Sequence, residues 1–89
     1  MTMVQICLTR NKKVALSLVR AFNAEIEKAR KEKGGNVGAS NAWYSKGIDS
    51  YGHYYWLGYE VYWPRDQDAI NKAEQAVIDR QLELGVDVF

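Results

Sequence analysis

The chain has 89 residues, 47% of them hydrophobic and 26% charged, with a net charge of +1 at neutral pH and a single cysteine. That length predicts one domain, residues 1–89, which buries little more than ~60% of its unfolded surface. Cys7 alone excludes an internal disulfide and suits a reducing cytoplasm, the near-neutral charge argues against a general polyanion binder, and no stretch approaches the ~20 apolar residues of a membrane span.

Met3 to Thr9 alternates Val4, Ile6 and Leu8 with Gln5, Cys7 and Thr9. This period of two predicts a strand with the first set buried. Asn11 then serves as an N-cap, and Ala15, Leu18, Val19, Phe22, Ile26 and Ala29 recur at three- and four-residue steps as the apolar stripe of a helix. Glu27 and Lys31 form an i,i+4 pair, Lys31 and Lys33 complement the negative end of the helix dipole, and Gly34 with Gly35 stops the helix. The run from Val14 to Val19 is too short for a signal peptide and is closed by Arg20. Gly34 to Ser40, GGNVGAS, follows a helix and opens a strand, and Ala39 stands where a phosphate loop needs a lysine. It is therefore read as a connection.

Ser40 to Pro64 holds most of the aromatic residues and predicts one long β-hairpin whose second arm ends at the donor-less Pro64. With a loop from Asp49 to His53, Ile48 pairs with Tyr54, Lys46 with Trp56, Tyr44 with Gly58 and Ala42 with Glu60. Alternation then gives two faces. Trp43, Tyr55, Leu57, Tyr59, Val61 and Trp63 carry no charge and form the expected core side. Tyr44, Lys46, Tyr54, Trp56, Glu60 and Tyr62 form the outer side. A one-residue slip in one arm would exchange that arm's two sets.

After the hairpin, Asp66 or Asp68 caps a second helix with a weaker stripe of Ile70, Ala73, Val77 and Leu84, and Gly85 stops it. Val86 to Phe89 reads as a short edge strand. Two amphipathic helices and one sheet bury most when both helices lie on the same sheet face. The expected fold is thus α+β, ferredoxin-like βαββα(β), with an antiparallel sheet and two helices on one face. Residues 1–40 carry a charge of +5 and residues 41–89 a charge of −4. A basic helix lying beside an acidic one accounts for the split, and Asp66, Asp68, Glu74, Asp79 and Glu83 with Lys72 and Arg80 are read as a solvated helix surface.

Asp49, Ser50 and His53 supply the residue types of a catalytic triad, but three residues in one exposed turn lack a buried orienting acid and an oxyanion hole. They are read as turn residues beside Gly52. His53 and Cys7 have no ligand partner at metal-site spacing, so neither metal nor cofactor is expected without a second subunit.

The outer aromatic face is the candidate binding site: Tyr44, Lys46, Tyr54, Trp56 and Tyr62, with Lys46 placed for a cation–π contact on Trp56. The stretch Leu57-Gly58-Tyr59-Glu60-Val61-Tyr62 resembles the third-strand motif of RNA-recognition domains at Gly58, Tyr59 and Val61. It departs from that motif at Glu60, and the first strand offers no aromatic. The resemblance covers one strand and implies base stacking on a sheet.

The reading carried forward is a small non-enzymatic binding module, an inhibitor or adaptor of the kind encoded by phages and mobile elements, acting through protein contact at that face. Self-association into a homodimer through the same face is the alternative structural use. Single-stranded nucleic-acid binding is the second function. A small dimeric enzyme using Tyr54, His53 or Asp49 in a pocket between sheet faces is the third.

Overall fold

The computed structural model describes residues 2–85. The elements run β1 (Thr2–Thr9), α1 (Lys12–Lys33), β2 (Trp43–Asp49), β3 (Gly52–Val61) and α2 (Gln67–Leu84). The molecule is α+β, with a three-stranded antiparallel sheet in the order β1-β3-β2. The most apolar strand, β3, is central. Val86 to Phe89, read as a further edge strand, lies outside the described residues.

Local chemistry sets the helix ends. The Asn11 side chain accepts from the backbone N–H groups of Lys13 (2.9 Å) and Val14 (3.4 Å), satisfying two donors that the first turn leaves free. Gly34 closes α1 in the left-handed region at φ 73°, where a side chain would be strained. Asp66 caps α2 by accepting from Ala69, and its other oxygen pairs with Lys33 of α1, so one carboxylate starts the second helix and ties it to the end of the first. The excess acids of α2 are partly answered within the helix, by Asp68 with Lys72 and Glu83 with Arg80.

Both helices lie against one face of the sheet. Phe22 of α1, fully buried, packs its ring 4.7 Å from that of Tyr59. The Tyr59 hydroxyl donates to Glu74 of α2 at 2.6 Å. Val14, Ala15, Leu18, Ile26 and Ala29 continue the α1 stripe into the core, and Ala69, Ile70, Ala73 and Val77 supply that of α2. Leu84, expected in this stripe, is 41% exposed. It falls in the last turn, beyond the last buried residue of α2.

In β1 the alternation does not hold through the strand. Gln5 pairs with Gly58 but Cys7 pairs with Leu57, so Ile6 is a bulge, one extra residue against β3. Past it the faces exchange: Cys7 and Thr9 are buried and Leu8 pairs with Trp56 on the other side. Leu8 is thus not the core residue its spacing suggests, and Cys7 and Thr9 are.

Asn23 and Arg30 fix the connection between α1 and β2. Asn23 accepts from the Ala42 N–H (2.6 Å) and donates to the Ala42 carbonyl (3.3 Å), while Arg30 bonds the Ala39 carbonyl and the Asn41 side chain. Val37, Gly38 and Ala39 are buried. Gly38, at φ 74°, sits so close to the backbone of Tyr62, Pro64 and Arg65 that no Cβ would fit. The glycine-rich stretch is a packed crossover.

Phe22→Ala should cost ~3–5 kcal/mol, a large part of the ~5–15 kcal/mol that holds a domain folded. Urea denaturation measures it, and a loss below ~1 kcal/mol would remove Phe22 from the core.

Candidate functional site on the uncovered sheet face

The hairpin turns more tightly than its sequence suggests. Asp49 pairs with Gly52, leaving only Ser50 and Tyr51 in the loop, and the register runs Ile48 to His53, Gly47 to Tyr54, Lys46 to Tyr55, Ser45 to Trp56, Tyr44 to Leu57 and Trp43 to Gly58. Every β2 residue is therefore displaced by one from the expected pairing. The β3 faces stand: Leu57, Tyr59 and Val61 are buried toward the helices. The β2 faces exchange.

Tyr44 and Lys46 consequently leave the proposed outer set. Tyr44 packs at the rim of the core, its ring edge-on to Tyr55 with centroids 5.9 Å apart. Lys46 is exposed on the same side and pairs with Tyr55, not Trp56, so the expected cation–π contact is absent. Arg10 makes one instead, with its guanidinium 5.6 Å from the Tyr51 ring centroid. Trp43, expected inside, pairs with Gly58 on the face of Trp56, while its half-buried side chain still packs against the core. Trp63 lies beyond the end of β3 and is 84% exposed.

The face away from the helices carries Trp43, Tyr54 and Trp56, joined by Leu8 and Met3 from β1, and the half-buried Tyr62 follows directly past the end of β3. Two of its aromatic rings lie on glycine. A Cβ on Gly47 would run into the Tyr54 ring, and one on Gly58 would meet Cζ3 of Trp56 at 2.9 Å. Each glycine lets a neighbouring ring lie down on the sheet, an aromatic covering of backbone that a side chain would prevent. The rings are half-buried and held in place.

Charge on this face is sparse and largely committed. Arg10, at the end of β1, makes two hydrogen bonds to the Asp49 carboxylate at 2.7 and 3.1 Å, a forked geometry that orients both groups. Asp49 Oδ1 also accepts from the Tyr51 N–H at 2.9 Å, shaping the turn. The Arg10 bonds, then the Tyr51 N–H, hold the Asp49 carboxyl below its usual range. Glu60 adds a negative charge near the other end, where its backbone is paired with Ser40.

Residues considered for catalysis do not converge. The Asp49 carboxylate is taken by Arg10, and His53 and Tyr54, being consecutive in a strand, point to opposite faces. Among the described residues no group of three or more His, Cys, Asp or Glu side chains could hold a metal ion. No helix of the described chain is long and apolar enough to cross a membrane. Tyr59, placed in the RNA-recognition-like motif, faces the helices and cannot stack a base. Burial, reinforced by the bond to Glu74, raises its pKa well above the usual phenol value. Burial likewise raises the Cys7 thiol, against a smaller opposing effect of Gln81.

Strand alternation placed Tyr54 and Trp56 on the uncovered face, but not Trp43, Leu8 and Arg10 beside them. The Gly47 and Gly58 positions opposite or beside aromatics were the available signal for the flattened rings. Compared with protein-family models, curated proteins and solved structures, the chain matches none.

Two outcomes are expected here. Gly47→Ala should displace the Tyr54 ring at a cost of ~1–3 kcal/mol, changing the Tyr54 ring resonances while the far-ultraviolet circular dichroism is preserved. Unaltered resonances would mean the ring does not rest on Gly47. The lowered Asp49 pKa stabilises the folded state fully above about pH 4, the unfolded value, and the contribution disappears as pH falls through the folded value. Asp49→Asn should therefore be less stable than the wild type at neutral pH, with the gap in urea midpoint closing as the pH falls below the unfolded value and through the lower folded one. A gap independent of pH would assign the effect to the turn rather than to the charge.

Proposed function

We propose that this chain is a non-enzymatic binding module that contacts a partner protein through the uncovered sheet face, acting as an inhibitor or adaptor by covering the partner's surface. The observation that carries this reading is a sheet face left bare by both helices and carrying Trp43, Tyr54 and Trp56, two of whose rings rest on glycines. Aromatic residues are enriched at protein interfaces, and contiguous apolar patches of this kind mark contact sites. Rings already fixed by the sheet lose little conformational freedom on binding.

The arrangement favours protein over single-stranded nucleic acid. A nucleic-acid surface needs cations free to meet phosphates. On this face Arg10 is paired with Asp49, Glu60 contributes a negative charge, and Lys46 belongs to the other side. The order βαββα, with β3 between β1 and β2, supports a ferredoxin-like reading of the fold.

Affinity capture from the native host, followed by titration of the captured protein, tests the proposal. Trp56→Ala should weaken binding by ~2 kcal/mol, about thirtyfold, while Lys46→Ala changes it little. The affinity should vary weakly with salt, and no oligonucleotide binding is expected at ~150 mM salt, where even non-specific binders reach ~10⁻⁴ to 10⁻⁶ M. Micromolar single-strand binding under those conditions, lost in Trp56→Ala, would replace the protein reading with the nucleic-acid one.

A further inference from the structure

The Arg10 guanidinium is only partly used by its own chain. Such a group carries its N–H donors in one plane, arranged as two forks: Nη1 with Nη2 at the end, and Nη2 with Nε at the side. Asp49 fills the end fork, accepting from Nη1 at one oxygen and from Nη2 at the other. Nη1 also donates to the His53 carbonyl at 3.4 Å, and the Tyr51 ring lies 5.6 Å from the guanidinium carbon. These bonds account for both Nη1 hydrogens and the Nη2 hydrogen beside them. The side fork is left whole, and Nε makes no hydrogen bond among the described residues. With 39% of its side chain exposed, Arg10 remains accessible.

Arg10 borders a cavity of about 210 Å³ with Leu8, Thr9, Asp49 and Tyr54. Leu8 and Tyr54 belong to the uncovered sheet face, and the Tyr54 ring lies on Gly47, so it walls the cavity without filling it. Positive charge here exceeds what Asp49 neutralises. Lys12 and Lys13 follow Arg10 closely and form no ion pair among the described residues. The first turn of α1 holds no acidic residue, and its N-terminus adds a positive partial charge. The site therefore suits an anion. Asp49 beside the fork penalises a double charge more than a single one, which favours a carboxylate over a phosphate.

Reach argues against the chain's own ends as the occupant. Residues 86–89 depart from Gly85 on the helix side of the sheet, and four residues span at most ~14 Å. A helix axis lies ~10 Å from a sheet it packs on, and the side-chain layer beyond adds ~5 Å. Straight through the sheet the distance is thus ~15 Å, and the route around β1 is longer. Met1 adjoins Thr2, which lies ~20 Å along β1 from Leu8.

We propose that the open fork of Arg10 receives an Asp or Glu side chain of the partner protein, whose apolar neighbour packs on Leu8 and Tyr54. This rests on the protein-binding reading of the uncovered face and specifies the partner's contacting segment as acidic beside apolar. Arg10 then bridges two carboxylates: Asp49, which orients it, and the partner's, which it binds in a second bidentate pair. One fork serves one carboxylate and offers no track for a row of phosphates.

The probes are the tripeptide acetyl-Leu-Asp-Leu-amide and its Asn and phosphoserine counterparts, titrated into the full chain. The readouts are the Arg10 Nε–H and Leu8 methyl NMR signals. The Asp peptide should move both signals and bind about tenfold more tightly than the Asn peptide, the scale of a hydrogen-bonded charge. Arg10→Lys keeps the charge without the fork and should remove that preference. An unmoved Nε–H signal at millimolar Asp peptide overturns the proposal, as does equal affinity for Asp and Asn; both are read on the wild type, whatever the variant does to folding. Tighter binding of the phosphoserine peptide would assign the fork to phosphate and also overturn it. So would an Nε–H signal that moves in Asp87→Asn without peptide, which assigns the fork to the chain's own end, or one that moves with protein concentration, which assigns it to a second copy. None of these measurements needs the captured partner, so the fork can fail while Trp56→Ala still weakens that partner, and the two failures are told apart.

Discussion

The pairing of β2 on β3 is the constraint on which the face chemistry depends, because a shift of one residue would carry every β2 side chain to the opposite side. Two sets of bonds hold it. At the tip, Arg10 grips Asp49 and Asp49 in turn shapes the Ser50–Tyr51 loop. At the other end, Asn23 of α1 binds both backbone groups of Ala42, and Ser40 binds both backbone groups of Glu60. A slipped hairpin would break both sets and put Trp43 toward the helices. The aromatic face is thus specified from outside the hairpin as much as by it.

These bonds also explain which parts of the structure were legible in the sequence. Helix ends were, because Asn11, Gly34, Asp66 and Gly85 act on their immediate neighbours. The buried stripe of α1 and the inward set of β3 were legible too, since each is a periodicity within one element. The register was not. Asp49, Ser50 and Gly52 all favour turns, so the sequence is compatible with loops of different length, and the deciding contacts come from Arg10, 39 residues away from Asp49, and Asn23, 19 from Ala42. The bulge at Ile6 was hidden for the same reason, being defined by the count of residues on β3 opposite β1. At the candidate site, the side of Tyr54 and Trp56 follows from strand alternation, whereas that of Tyr44 and Lys46 depends on the register of β2 against β3.

Tyr59 joins the two halves of the molecule. Its ring packs on Phe22 of α1 and its hydroxyl bonds Glu74 of α2, so one residue of the central strand contacts both helices. A phenol serves here better than a phenylalanine, because its ring fills the core while its hydroxyl reaches a polar group at the layer's edge. Glu74 also lines a cleft of about 320 Å³ between β1 and α2, together with Val4, Ile6, Cys7 and Tyr59 itself. The core and the cleft therefore share a wall, and the polarity of that cleft follows from how the core is closed.

A domain with one sheet and two helices on the same side cannot cover the other side, and the chain's answer is to make that side aromatic but flat. Exposed Trp and Tyr side chains standing off a surface would be mobile and would collapse onto any apolar neighbour, whereas rings lying on Gly47 and Gly58 are already in contact with backbone. Part of the cost of ordering them is met on folding. Each glycine weakens its own strand through lost packing and greater chain entropy. Both are paired with β3 or lie within it, and the rings laid across them restore contact where the side chain is missing. The same substitution of ring for side chain thus reconciles a stable sheet with an aromatic face that the helices leave uncovered.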